Sequence, residues 1–250
     1  NLKGRMKEYP LIVIPECRYL DEEFRTELLD YVRNGGNLLV VGPTATGMFT
    51  QPLNVEFRDT ASKATQIISY ENQMAGINTR FQPVVLKDGA EICGNRYGVS
   101  DFRFPSEPAA TISSYGKGKI AGVYFNIGKN YLEMANPVYR DFINSIVRKL
   151  FPYPIAEITG TDNLAITTNR LGNKLVINLI NMSGEHANKN VARYDEIPVI
   201  GPLQVKIRLD KRPKQITLQP ENIKLKFSYS DQVLETTIDQ LRIHSILIVE

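Results

Sequence analysis

Two unbroken apolar runs stand out in the first fifty residues. Leu11-Ile12-Val13-Ile14 follows Tyr9-Pro10 and is ended by Pro15, and Leu38-Leu39-Val40-Val41 is closed by Gly42-Pro43. Four apolar residues without polar alternation predict strands buried on both faces. Between them Phe24, Leu28, Tyr31 and Val32 recur at helical spacing. Asp21 is placed to cap that helix, Glu22 and Glu23 suit the positive end of its dipole, and Gly35-Gly36 supplies a left-handed stop. Strand, helix and strand within about 32 residues predict a βαβ unit with parallel strands.

The pattern then loosens. Residues 84–86, 111–115 and 119–125 read as strands, the last two joined as a hairpin across Gly116-Lys117-Gly118. Residues 59–82, with Ile67, Ile68 and Tyr70, read as irregular. A closing helix is predicted from Pro137, with Val138, Phe142, Ile146 and Leu150 as its apolar stripe. A doubly wound sheet needs about five strands with helices on both faces, yet only residues 21–34 and 137–150 read as helices. The α/β domain is therefore expected to be N-terminally incomplete, with a strand and helix upstream. The first residue, Asn1, fits a chain cut from something longer.

Phe151-Pro152-Tyr153-Pro154 marks a boundary, because two prolines in four residues end a helix and stiffen a linker. Beyond it, residues 164–168, 174–180, 203–209, 215–218, 223–229, 233–238 and 241–249 are short β-rich runs separated by turn signals. Val205, Ile207 and Leu209 alternate with Lys206 and Arg208, the half-buried strand pattern. Seven short strands without a helix predict a β-sandwich. The expected organisation is α/β plus all-β: a parallel-sheet domain over residues 1–152 and a small β-sandwich over 153–250.

Composition narrows the function classes. The chain has 250 residues, 42% hydrophobic and 23% charged, with a net charge of +3. Those values exclude a disordered, collagenous or coiled-coil chain. No basic arm is present, so nucleic acid is not an expected partner, and no apolar run approaches the roughly 20 residues of a membrane helix. Two cysteines, Cys17 and Cys93, permit one bridge at most and fit a reducing or an oxidising compartment equally.

Several motifs fall short of a chemistry. Gly42-Pro43-Thr44-Ala45-Thr46-Gly47 has phosphate-loop spacing between its glycines but continues Met48-Phe49 rather than Lys and Ser/Thr, and reads as a turn leaving the sheet. Gly116-Lys117-Gly118-Lys119-Ile120-Ala121 matches the dinucleotide fingerprint in letters, but a β-rich run follows where a helix is required. Gly98-Val99-Ser100-Asp101-Phe102 lacks the last glycine of a nucleophile elbow. The two histidines, His186 and His244, both lie in the β-rich part, and His244 reads as a strand residue. Neither a triad, a metal site nor a cofactor is expected. Asn181-Met182-Ser183 is a formal glycosylation sequon. Ligands of open α/β sheets sit beyond the carboxyl ends of the strands. The candidate binding residues are therefore Glu16, Cys17, Arg18, Thr44 and Thr46, with Arg18 available to activate the Cys17 thiol.

Residues 9–42, YPLIVIPECRYLDEEFRTELLDYVRNGGNLLVVG, resemble the glutamine-amidotransferase-like α/β domain of β-galactosidases known as the trimerisation domain. SSYGKGKIAGVYFNIGKNY is similar to that domain's hairpin, and NKLVINLINMSG with LRIHSILIVE to the small β-domain that follows it in multidomain glycoside hydrolases. The resemblance implies a flavodoxin-like or amidotransferase-like fold, with both catalytic carboxylates on a preceding barrel. The amidotransferase cysteine elbow is missing, since Cys93 has Glu91 and Asn95 where glycines belong. The expected function is thus a non-catalytic oligomerisation and scaffold region of a β-galactosidase- or fucosidase-like hydrolase. Its expected partners are the upstream barrel or identical subunits; the compartment stays open, the resemblance being to hydrolases that are often exported. The alternatives are a carbohydrate-binding protein, with Tyr194, Phe227 and Tyr229 as its sugar platform, and a small-molecule enzyme at the sheet crest. Association is expected through the bare face of the parallel sheet, or through the helix presenting Phe24, Leu28 and Val32.

Overall fold

A computed structural model describes residues 2–184 and 196–250. The chain forms two compact units, Asn1–Pro152 and Tyr153–Glu250. In the first, a 3-10 turn at Met6–Glu8 leads into β1 (Leu11–Ile14), α1 (Glu22–Arg33), β2 (Asn37–Val41) and a short α2 (Pro43–Gly47). There follow β3 (Val55–Phe57), β4 (Ser62–Tyr70), β5 (Gln73–Phe81), β6 (Val84–Leu86), β7 (Ala90–Tyr97), β8 (Ser106–Tyr115) and β9 (Gly118–Val123). The unit closes with α3 (Ile127–Met134) and α4 (Pro137–Leu150).

Seven strands make one sheet in the order β1-β2-β9-β8-β7-β4-β5, and β3 pairs separately with β6. Only β1, β2 and β9 are parallel to one another; the remaining pairings of the sheet are antiparallel. The expectation of a parallel sheet thus holds for three strands and is corrected for the other four. A two-residue turn at Glu71-Asn72, with Glu71 at φ +51°, joins β4 to β5 directly, so no crossover helix is needed between them. Residues 59–82, read as irregular, contain this hairpin of two nine-residue strands.

The helices form for local reasons. Asp21 accepts a hydrogen bond from the Phe24 amide (3.1 Å), and Asn136 accepts one from Val138 (2.9 Å), with Pro137 at the first helical position. Tyr31 ties the end of α1 to the sheet: its hydroxyl donates to the Tyr9 carbonyl (2.8 Å) and accepts from the Asn37 amide (3.1 Å). Asn126 caps α3 through the Lys129 amide (3.1 Å), and Ala135 ends that helix at φ +48°.

Two cores sandwich the sheet. Leu28, Tyr31 and Val32 of α1 pack with Ile12, Ile14, Leu38, Val40 and Ile120 on one face. Val138, Phe142, Ile146 and Leu150 of α4 pack with Leu39, Val41, Ala121 and Val123 on the other. β2 is buried on both faces, as its apolar run predicts. β1 is not: it is the sheet's edge, paired only with β2 within this sheet, and Val13 is 49% exposed. Leu28 and Val32 are fully buried, so the α1 stripe is spent inside the unit and offers no docking face.

In the second unit, β10 (Ala156–Thr159), β13 (Leu203–Arg208), β17 (Val233–Ile238) and β16 (Phe227–Ser230) form one sheet in the order β10-β13-β17-β16. β11 (Leu164–Leu171), β12 (Lys174–Asn181), β18 (His244–Val249), β14 (Ile216–Gln219) and β15 (Ile223–Lys224) form the other, in that order. Both sheets are antiparallel throughout. Leu175, Ile177 and Leu179 from one and Val205, Ile207 and Leu234 from the other share a single core. The run at 223–229 divides between the two sheets, and β10 is an added strand. Together the units make an α/β plus β-rich fold in which sheet predominates.

Candidate functional site

β1, β2 and β9 run parallel, so their carboxyl ends meet at one crest, followed by Glu16, by Gly42-Pro43 and by Asn126. Glu16 turns into this crest and accepts hydrogen bonds from the amides of Thr44 (3.1 Å) and Ala45 (3.1 Å), the first turn of α2. Its carboxylate therefore occupies the N–H groups that a ligand anion would use. A Cβ at Gly42 would lie 2.2 Å from the Glu16 carboxylate, so glycine there admits Glu16 rather than a phosphate. The loop read as a turn is this self-capped helix.

The other crest candidates are not convergent. Thr46 is fully buried and its hydroxyl donates to the Gly42 carbonyl (2.8 Å). Cys17 is half-buried, and burial together with the Glu16 charge holds its thiol above the ordinary range, the opposite of activation. Arg18 is exposed. Burial, only partly opposed by the Lys149 charge, pushes the Cys93 thiol up to about 12. Among the described residues, no group of three His, Cys, Asp or Glu side chains is arranged as metal ligands. Nor is any helix there long and apolar enough to cross a membrane.

The crest instead opens into two adjoining clefts. One, of about 660 Å³, is walled by Thr44, Phe57, Arg58, Asp59, Thr60 and Arg80; the other, of about 490 Å³, by Glu16, Lys63, Asn78, Arg80, Asn126 and Lys129, among others. Arg80 and Pro43 border both. Sequence reasoning missed Lys63, Asn78 and Arg80 because they ride on the β4–β5 hairpin. Arg58 donates to Glu107 (3.0 Å) at the start of β8, and Glu107 also pairs with Arg96, whose side chain is 8% exposed. Burial raises the Glu107 pKa, but the two guanidinium groups more than offset this and hold the carboxyl below its ordinary value.

A third cavity is of another kind. About 320 Å³ of space lies between the edge strand and the helices, lined mostly by apolar side chains: Val13, Leu39, Val41, Ile127, Tyr131, Ile143 and Val147. It takes in the half-exposed Val13 of the edge strand, and Glu16, Asn126 and Arg140 add polar groups to its lining. On α3, Tyr131, Leu132 and Met134 are 40%, 86% and 66% exposed.

The remaining motifs have structural uses. Gly116 and Gly118 form the β8–β9 hairpin, whose Lys117 amide donates to the Arg33 carbonyl (3.0 Å) at the end of α1. Ser100 lies in the loop between β7 and β8, and His244 opens β18. Asn181 of the sequon is 7% exposed; its amide group donates to the carbonyls of Pro198 (2.8 Å) and Arg242 (2.6 Å). Tyr229 donates to the Leu209 carbonyl (2.8 Å), and Phe227 packs on the core beneath Arg212. Two of the three platform aromatics are thus engaged internally, while Tyr194, like His186, lies outside the described residues.

No protein-family model and no curated protein sequence matches the chain. Solved structures do. The α-L-fucosidase isoenzyme 2 of Paenibacillus thiaminolyticus superposes with a TM-score of 0.77 at 16% identity, over 100% of this chain and 42% of that one. A β-galactosidase of Bacillus circulans sp. alkalophilus gives 0.62 at 11%, over 100% and 34%. The GH42 β-galactosidase Gan42B of G. stearothermophilus gives 0.60 at 13%, over 98% and 32%. The chain therefore shares its fold with a segment of glycoside hydrolase chains and spans less than half the length of each.

Proposed function

We propose that this chain is the non-catalytic oligomerisation and scaffold region of a glycoside hydrolase, its parent β-galactosidase- or fucosidase-like. In this reading residues 1–152 are an amidotransferase-like α/β domain related to the trimerisation domain, and residues 153–250 are an accessory β-sandwich. The catalytic barrel lies elsewhere on the parent. The fold likeness over the whole chain supports the assignment to a hydrolase segment. The observation that carries the associative role is the edge of β1 beside the 320 Å³ apolar groove.

An edge strand presents unpaired backbone groups, and soluble proteins normally blunt or cover such an edge. β1 is short, four residues between Pro10 and Pro15, but no charge or bulge interrupts Leu11–Ile14, and its half-exposed Val13 continues into an apolar cleft. A contiguous apolar surface of that kind marks an interaction site. A segment that adds a strand to β1 and lays an apolar helix face into the groove would satisfy both features. Identical subunits and the parent's barrel are the partners this reading names.

Multi-angle light scattering of the 250-residue chain is expected to show a dimer, a trimer or concentration-dependent association, with binding of a hydrophobic dye. A monomer at high concentration that binds no dye would overturn the proposal.

A further inference from the structure

We infer that the paired clefts at the sheet crest form a binding site for a neutral, hydroxyl-rich ligand, a saccharide, beside the apolar groove, with which the smaller cleft shares Glu16 and Asn126. The assignment of chemical class follows from charge and hydrogen-bonding capacity. Across the two clefts the lining includes four cationic side chains and three anionic ones, with carboxylates in both. A phosphorylated or carboxylated ligand would meet Glu16, Asp59 and Glu133; a cation would meet Lys63, Arg80 and Lys129. An interspersed lining of this kind favours a ligand that carries no net charge but can both donate and accept.

The charges are also largely committed. Arg58 is held by Glu107 and Asp59, and Glu16 by two backbone amides. Arg80, which lines both clefts, gives one nitrogen to the Ala61 carbonyl (3.3 Å). Asn126 spends its oxygen on the cap of α3. Thr44 and Thr60 line one cleft and Thr79 the other. Planar guanidinium and amide groups beside hydroxyls suit vicinal hydroxyl groups, which need a donor and an acceptor at adjacent positions.

An apolar wall accompanies these groups. Phe57 lines the larger cleft, as an aromatic face does for the C–H side of a sugar ring. Both clefts fall within the roughly 300–1,000 Å³ range of small-molecule sites. The choice of saccharide among neutral polyols rests on the hydrolase reading above, but the cleft and its test do not involve association.

Chemical-shift mapping of the isotopically labelled chain with D-galactose, L-fucose and methyl β-D-galactoside tests the site. At least one sugar should perturb Lys63, Asn78, Arg80 and Thr60 together, with a dissociation constant on the order of millimolar. Arg80→Ala should weaken it at least fivefold. Lys63→Ala, on an exposed position, gives a second reading if the first variant disturbs the hairpin. Inorganic phosphate should perturb the same residues no more than sodium chloride does. Silence with all three sugars, shifts confined to the second unit, or tight phosphate binding at Arg80 would overturn the inference. None of these results depends on whether the chain associates.

Discussion

Gly118→Ala is expected to destabilise the first unit by about 3 kcal/mol or more, the upper end for overpacking. A Cβ at this position would lie 1.9 Å from the Gly36 carbonyl oxygen and 2.5 Å from that of Val32. Both are backbone atoms at the end of α1, so no side chain can swing away. The hairpin would have to lift, breaking the bond from the Lys117 amide to the Arg33 carbonyl and disturbing the start of β9 where it pairs with β2. Urea unfolding of the first unit measures this, with Gly98→Ala as the control. Nothing lies within 4 Å of a Cβ at Gly98, and its change should stay within about 0.5 kcal/mol. Equal stabilities for the two variants would remove the close-approach account of the Gly-x-Gly motif.

Asn181→Ala is expected to cost the second unit about 3 kcal/mol. Besides its donated bonds, the side chain accepts one from the Ser183 amide (2.9 Å), while its own backbone amide donates to the Ile243 carbonyl (2.9 Å). Alanine leaves buried polar groups without partners, each worth about 1–3 kcal/mol when unsatisfied. A thermal melt of the second unit should fall by about 12–24 °C, at about 4–8 °C per kcal/mol for a domain of this size. Expression in a glycosylating host should leave Asn181 unmodified in the folded protein. A variant that melts with the wild type, or a glycan on folded Asn181, would contradict the buried-bridge role.

The parts of the fold legible in the sequence are those specified within a few residues. The caps at Asp21 and Asn136, the stripe of α4 and the β8–β9 hairpin each rest on local chemistry. β1 and β2 show the limit. Their apolar runs are nearly alike, yet one is central and the other an edge, because coverage is decided by elements remote in sequence. The β4–β5 hairpin was obscured because its outer positions carry Ser62, Lys63, Thr65 and Asn78, and only Ile68, Ala75, Ile77 and Phe81 are buried. α3 was obscured because Leu132 and Met134 face outward and break its stripe. At the crest, Glu16 and Thr44 were found from their position after a strand and do border the clefts. Lys63 and Arg80 reach it only because the hairpin folds over, which no local pattern announces. Cys17, Arg18 and Thr46 line neither polar cleft.

The associative role stands or falls on the β1 edge. Val13 is half-exposed at that edge, so Val13→Lys should change overall stability by no more than about 1 kcal/mol while placing a charge on the docking surface. Sedimentation velocity of the wild-type and Val13→Lys chains at matched concentrations tests the account most directly. The account predicts an associating wild type and a variant shifted to monomer, with both chains folded by circular dichroism. Association of equal strength in the two would contradict it.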